Sequence, residues 1–200
     1  MVPRIQEATI GEQRAMRQRQ IIEAAMSLAT ESGANAVTVA AVAKRAGIAR
    51  SSIYEYFSSS ADLVADLVIE ELENYNKRLL SAVVGVNDPF TYLESWIAEA
   101  LKYVVDGRHL LVKSLNSVNM PNFRKSEIAM GHRRLINTIS KPLEELDIAD
   151  VPMALSYLQG TLDAASIRIE SGSDPELEVA SAQQYAIAGV RALMSKSRRD

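Results

Sequence analysis

Between Thr38 and Phe57 the chain reads TVAAVAKRAGIARSSIYEYF, two short apolar-periodic runs separated by one glycine. In the first run Val39, Val42, Ala43 and Ala46 recur at helical spacing. Thr38 before them is a good N-cap, because its hydroxyl accepts an N–H of the first turn. Gly47 then supplies the left-handed backbone that a tight turn demands. A second short helix comes next, and Ile48, Ile53 and Phe57 complete one inner face. Helix, glycine turn and helix make a helix-turn-helix unit, with Ala43 small where the two helices cross.

That inner face leaves Arg50, Ser51, Ser52, Tyr54 and Tyr56 mainly on the outer side. Two tyrosines two positions apart cannot both enter one core from a single helix. Their chemistry suits a duplex: an arginine fork matches guanine edges, and hydroxyls donate to phosphate. Lys44 and Arg45 join this candidate DNA-contacting set, although cations at a helix end are favoured by the macrodipole without any nucleic acid.

The rest of the sequence reads as all-α, with about nine helices. The first dozen residues are polar and aperiodic, an expected loose arm. A helix from Arg14 carries Ile21, Ala25, Leu28 and Ala29 on one face and stops at Gly33. Ser59 and Asp62 form a capping-box-like pair that opens a long helix to about Ala82. Asp88-Pro89 opens another, since proline suits the first helical position. Gly107, Pro121 and Gly131 punctuate the middle of the chain, and Asp150-Pro152 and Asp174-Pro175 open two long final helices. Val83-Val84 and Val104-Val105 are too short to be strands. The expected domains are residues 1–60 and 61–200, bridged by a helix.

The stretch TVAAVAKRAGIARSSIYEYFSSSADL resembles the DNA-binding signature of TetR-type transcriptional repressors, from near Gln13 to Leu63. The resemblance implies a three-helix DNA-binding head, a homodimer on a near-palindromic operator, and a larger helical body that binds a small-molecule effector. It also implies that Thr38 and Tyr54 contact backbone, that Arg50 approaches bases, and that Tyr56 stands where the family often has a phosphate-binding histidine. Two positions depart from the pattern. Ala49 replaces the hydroxyl N-cap before the recognition helix, and Ser60 replaces a lysine near phosphate.

The resemblance places the dimer face on the last two helices. There Leu155, Leu158 and Leu162 form one apolar stripe and Ala182, Ala186 and Val190 another, enough apolar surface to expect a partner. An effector wall is expected along the fifth helix. Trp96 and Tyr103 share a stripe there with Tyr92 and Glu99, and His109 or Tyr157 supplies a polar group from a neighbouring helix. A Glu99 pair with Lys102 is the plainer reading of that carboxylate.

Composition sets the outer bounds. Cysteine is absent and there are two histidines, His109 and His132, so no disulfide, metal centre or cofactor is expected. Nor is an enzyme, since no nucleophile–base pair stands in a recognisable frame. No apolar run reaches the roughly 18 residues of a membrane span, and a cytoplasmic location is expected. Net charge is −3, but residues 1–60 hold seven Lys/Arg against five Asp/Glu. A mildly basic head on an acidic body fits a polyanion touched at one end. A regulator without an effector and a protein-docking helical module are the alternatives; the second would expose aliphatic anchors in place of Arg50 and the tyrosines.

Overall fold

The computed structural model describes residues 10–33, 36–107, 109, 112 and 122–197. Nine helices lie among the described residues, which contain no strand. They fall into two compact units.

The first unit holds α1 (Ile10–Ser32), α2 (Val39–Ala46), α3 (Arg50–Ile53) and the start of α4 (Ser60–Ala82), together with residues 122–125. Helix α1 begins at Ile10, within the stretch expected to be a loose arm; residues 1–9 lie outside the described residues. Its buried Ile21, Ile22 and Ala25 meet the inner face of α2, where Val39, Val42 and Ala43 are buried too. Thr38 Oγ1 accepts the Ala41 N–H at 3.2 Å and caps α2. At the other end Gly47 has φ 67°. Ile48 N–H returns to Ala43 O at 3.0 Å and Gly47 N–H to Lys44 O at 3.4 Å. This double closure ends a helix only where one residue turns left-handed, which glycine does without steric cost. Ile53 and Phe57 then anchor α3 in the core, at 0% and 1% exposure. Burying side chains of this size contributes about 1.5–3 kcal/mol each.

The second unit holds the remainder of α4, α5 (Pro89–Val105), most of α6 (Asn122–Asn137), α7 (Ser140–Glu145), α8 (Val151–Glu170) and α9 (Pro175–Ser197). Asp88 Oδ2 accepts the Thr91 N–H at 2.8 Å, Asp150 Oδ1 that of Met153 at 2.9 Å and Asp174 Oδ1 that of Glu176 at 2.9 Å. These aspartates fix the starts of α5, α8 and α9, as the Asp-Pro spacing predicts. Helix α5 is the centre of the unit and touches α7, α8 and α9. It buries Leu93, Trp96, Ile97, Ala100, Leu101 and Tyr103, as a helix apolar nearly all round must. Gly131, expected to break the chain, lies inside α6. A Cβ there would stand 3.0 Å from Leu72 Cδ1, so close approach of α4 explains this glycine. Pro121 is outside the described residues.

Candidate nucleic-acid interface

Around the buried Ile53–Phe57 anchor, α3 turns a polar face outward. Arg50, Ser51 and Tyr54 are exposed, Tyr54 at 49%, while Ser52 and Tyr56 are half-buried. Among the described residues no hydrogen bond or ion pair holds Arg50. The backbone start of α3 is plainer than in most helices, because Ala49 offers no side-chain cap. Thr38 is exposed and has already spent one lone pair on its cap, leaving its O–H to donate. Lys44 and Ser60 are also exposed.

Arg45 is engaged elsewhere. Its guanidinium grips Glu31 of α1 through two oxygens at 2.8 and 2.6 Å and donates to Ser27 Oγ at 2.5 Å. The fork that would serve a base edge is therefore occupied within the subunit, which separates Arg45 from the unengaged Arg50. The Arg45 and Ser27 hydrogen bonds hold the Glu31 carboxyl at about 2, below its ordinary 4.5. A depressed carboxylate stabilises the fold above pH 4.5, and that contribution is lost as pH falls through about 2. Wild type should accordingly melt above Glu31→Gln at neutral pH, with the gap closing as pH drops through this window. Thermal melts across the range measure it, and a pH-independent gap would contradict the pairing.

Two further α1 residues, which no local motif singles out, also tie down the unit. Gln20 Nε2 donates to Ala46 O at 3.2 Å, and Arg14 Nη2 donates to Glu55 O at 3.1 Å with its guanidinium 5.3 Å from the Tyr56 ring centre. At the exit, Ser59 Oγ accepts the Asp62 N–H at 3.1 Å and starts α4. The Asp62 carboxylate reaches one residue further back than a capping box requires, accepting the Ser58 N–H at 3.1 Å. Burial alone would raise the Asp62 carboxyl, but the Ser58 N–H and the Arg124 guanidinium outweigh it and hold the carboxyl below its usual value. Arg124 also reaches Asp66 at 2.9 Å.

Of the residues expected to line an effector wall, Trp96 and Tyr103 are buried and Tyr157 is exposed. Trp96 is 4% exposed and its Nε1 donates to Thr138 Oγ1 at 2.7 Å. Tyr103 is 5% exposed and stacks on Tyr75 at 4.0 Å. Both side chains are packed into the α5 core. Glu99 pairs with Arg78 of α4 at 2.7 Å, not with Lys102, and Arg78 also binds Asp106 at 3.1 Å. His109 Nε2 lies 2.7 Å from Glu170 Oε1. Tyr157, 63% exposed, lies on the outer face of α8.

The expected dimer residues differ in their exposure within the subunit. Leu158, Ala182, Ala186 and Val190 are buried within the subunit, and Leu155 and Leu162 are half-buried. Alanines at 182 and 186 let α9 approach its own neighbours closely, so this stripe closes the monomer core. Outward beside it, Tyr157, Gly160, Ala164, Tyr185, Ala188 and Gly189 line an open groove of about 850 Å³, with Arg168 and Glu178 on its wall.

Residues 21–67 match the bacterial regulatory proteins of the tetR family. The HTH-type transcriptional repressor KstR of Mycolicibacterium smegmatis is 27% identical over 96 residues, 48% of this chain and 47% of that protein. The chain thus aligns with about half the length of that relative. The fatty acid metabolism regulator protein of Bacillus subtilis is 23% identical over 159 residues, 76% of this chain and 82% of that protein. The crystal structure of the regulator FadR from Bacillus subtilis in complex with stearoyl-CoA superposes with TM-score 0.70 at 22% identity, covering 86% of this chain and 98% of that one. At that identity the superposition establishes the fold.

Proposed function

We propose, on the premise of the tetR-family match over residues 21–67, that the protein is a ligand-responsive transcriptional repressor of that family. It binds a near-palindromic operator as a homodimer, with one α3 entering the major groove at each half-site. The observation that carries this reading is the outward face of α3, where an unengaged arginine and hydroxyl-bearing residues surround a buried two-residue anchor. Arg50 reads a base edge, and Tyr54, Ser51 and Thr38 contact phosphate. Lys44 adds a cation nearby, and Arg45 supports the unit from within. The second copy docks on the outward strip of α8 and α9.

The proposed effector carries a long acyl chain, by analogy with the stearoyl-CoA held by FadR, and it binds in the second unit. A ligand shifts only an equilibrium between states that it binds differently. It therefore has to prefer a dimer in which the two heads no longer match successive grooves.

The test starts with selection of bound duplexes from a random pool, which supplies the operator. Acyl-CoAs of increasing chain length are then titrated into the protein–operator complex, with anisotropy reporting release. Trp96, the one tryptophan of the chain, gives an independent fluorescence signal from the α5 core. Release that grows with chain length and parallels a Trp96 change is expected. An operator complex indifferent to all of them would remove acyl chains as effectors and leave the DNA-binding reading standing.

A further inference from the structure

Arg14 lies on α1, outside the helix-turn-helix unit, yet it touches that unit twice. Its Nη2 donates to Glu55 O at 3.1 Å, and its guanidinium carbon stands 5.3 Å from the Tyr56 ring centre. The chain has just left α3 at this point. Ile53 O accepts both the Tyr56 and the Phe57 N–H at 3.0 Å, while the Glu55 carbonyl takes a charge-assisted bond from Arg14. On the other side Phe57 is fixed in the core at 1% exposure. Tyr56 is thus held at both flanking residues and over its ring, yet remains half-exposed.

We infer that Arg14 is a positioning residue for operator binding, which holds Tyr56 so that its hydroxyl meets a duplex phosphate. The inference rests on the operator-binding reading above. A guanidinium over an aromatic face is attracted by the ring quadrupole. A ring already restricted in the free protein loses less side-chain freedom on docking, so the benefit appears as affinity. Arg14 spends one Nη2 hydrogen bond on the Glu55 carbonyl and places its guanidinium over Tyr56, and it acts through them. The competing role, a direct salt link from Arg14 to phosphate, makes a different prediction for salt dependence.

The experiment measures affinity for the selected operator by anisotropy over a salt series, for wild type, Arg14→Ala, Arg14→Lys, Tyr56→Phe and the Arg14→Ala/Tyr56→Phe double variant. Arg14→Ala is expected to weaken binding by about two- to tenfold, with the slope of log affinity against log salt unchanged. Tyr56→Phe should weaken it comparably, and adding Arg14→Ala to Tyr56→Phe should cost nothing more. Arg14→Lys keeps the charge without the planar guanidinium and should lose about as much as Arg14→Ala, so it carries the test if the alanine variant melts early. Several results would overturn the assignment: a slope shallower by about 0.9, additive losses in the double variant, no loss in Tyr56→Phe, or full recovery in Arg14→Lys. If wild type selects no duplex, the operator reading itself fails. If wild type binds and the cycle is additive, Arg14 alone is misassigned.

Discussion

Tyr185→Glu is expected to give a monomer that keeps its helices and loses operator affinity by on the order of a hundredfold or more. Tyr185 is 74% exposed in the subunit, so glutamate there should change the fold's own stability by no more than about 0.5 kcal/mol. In a two-fold dimer the same patch meets itself, and each copy brings the substitution into the contact. Two carboxylates then enter a contact beside Tyr157, Ala164, Ala188 and Gly189, with Glu178 and Arg168, already paired to each other, on the same groove, at a cost of several kcal/mol. A dimer engages two half-sites at once, and that linkage multiplies affinity by roughly 10²–10⁴ over a single head. Sedimentation should report the monomer and circular dichroism the retained helix. Leu158→Glu is a poorer probe, since Leu158 is 4% exposed and a charge there would disrupt the subunit itself. A Tyr185→Glu protein that stays dimeric with unaltered affinity would move the interface off α8 and α9.

Arg50→Ala is expected to cost about 1–3 kcal/mol on the selected operator, the range for losing a bidentate base contact. Arg50 opens α3, and the first residues of a recognition helix are the ones that reach base edges. It is exposed and has no partner to give up among the described residues, so its full donor fork is available to a guanine. Arg45 differs, because it would first have to leave Glu31 and Ser27. The loss from Arg50→Ala should therefore depend on sequence. Tyr54→Phe, which removes the proposed phosphate donor, should weaken all duplexes by a similar factor.

Much of this fold is legible in local sequence. Gly47 has one conformational purpose, and the Asp-Pro pairs before α5, α8 and α9 carry their own capping chemistry, so element starts can be read from a few neighbouring residues. The outer face of α3 is legible for the same reason, since Ile53 and Phe57 fix which side is buried. The features that escape a local reading depend on partners far along the chain. Arg14 meets Glu55 across 41 positions and Gln20 meets Ala46 across 26, and no local pattern announces either. Glu99 finds Arg78 of another helix, whereas sequence proximity alone suggests Lys102. Periodicity identifies an apolar face without saying whether the covering helix comes from the same subunit. On α8 and α9 the strongest stripe packs inward, and the exposed strip beside it mixes tyrosines with glycine and alanine. Aromatic size looks alike in a core and in a pocket, so the sequence alone does not reveal how Trp96 is held; the Thr138 hydroxyl that satisfies the indole lies 42 residues away.

The central claim is that α3 reads duplex sequence and that Arg50 carries part of the reading. It is tested most directly by selecting duplexes from one random pool with wild type and with Arg50→Ala, and comparing base preference position by position. Wild type should return a near-palindrome, and Arg50→Ala the same pattern with preference relaxed at one symmetric pair of positions. An identical pattern of equal sharpness from both proteins, or no preferred sequence from wild type, would contradict it.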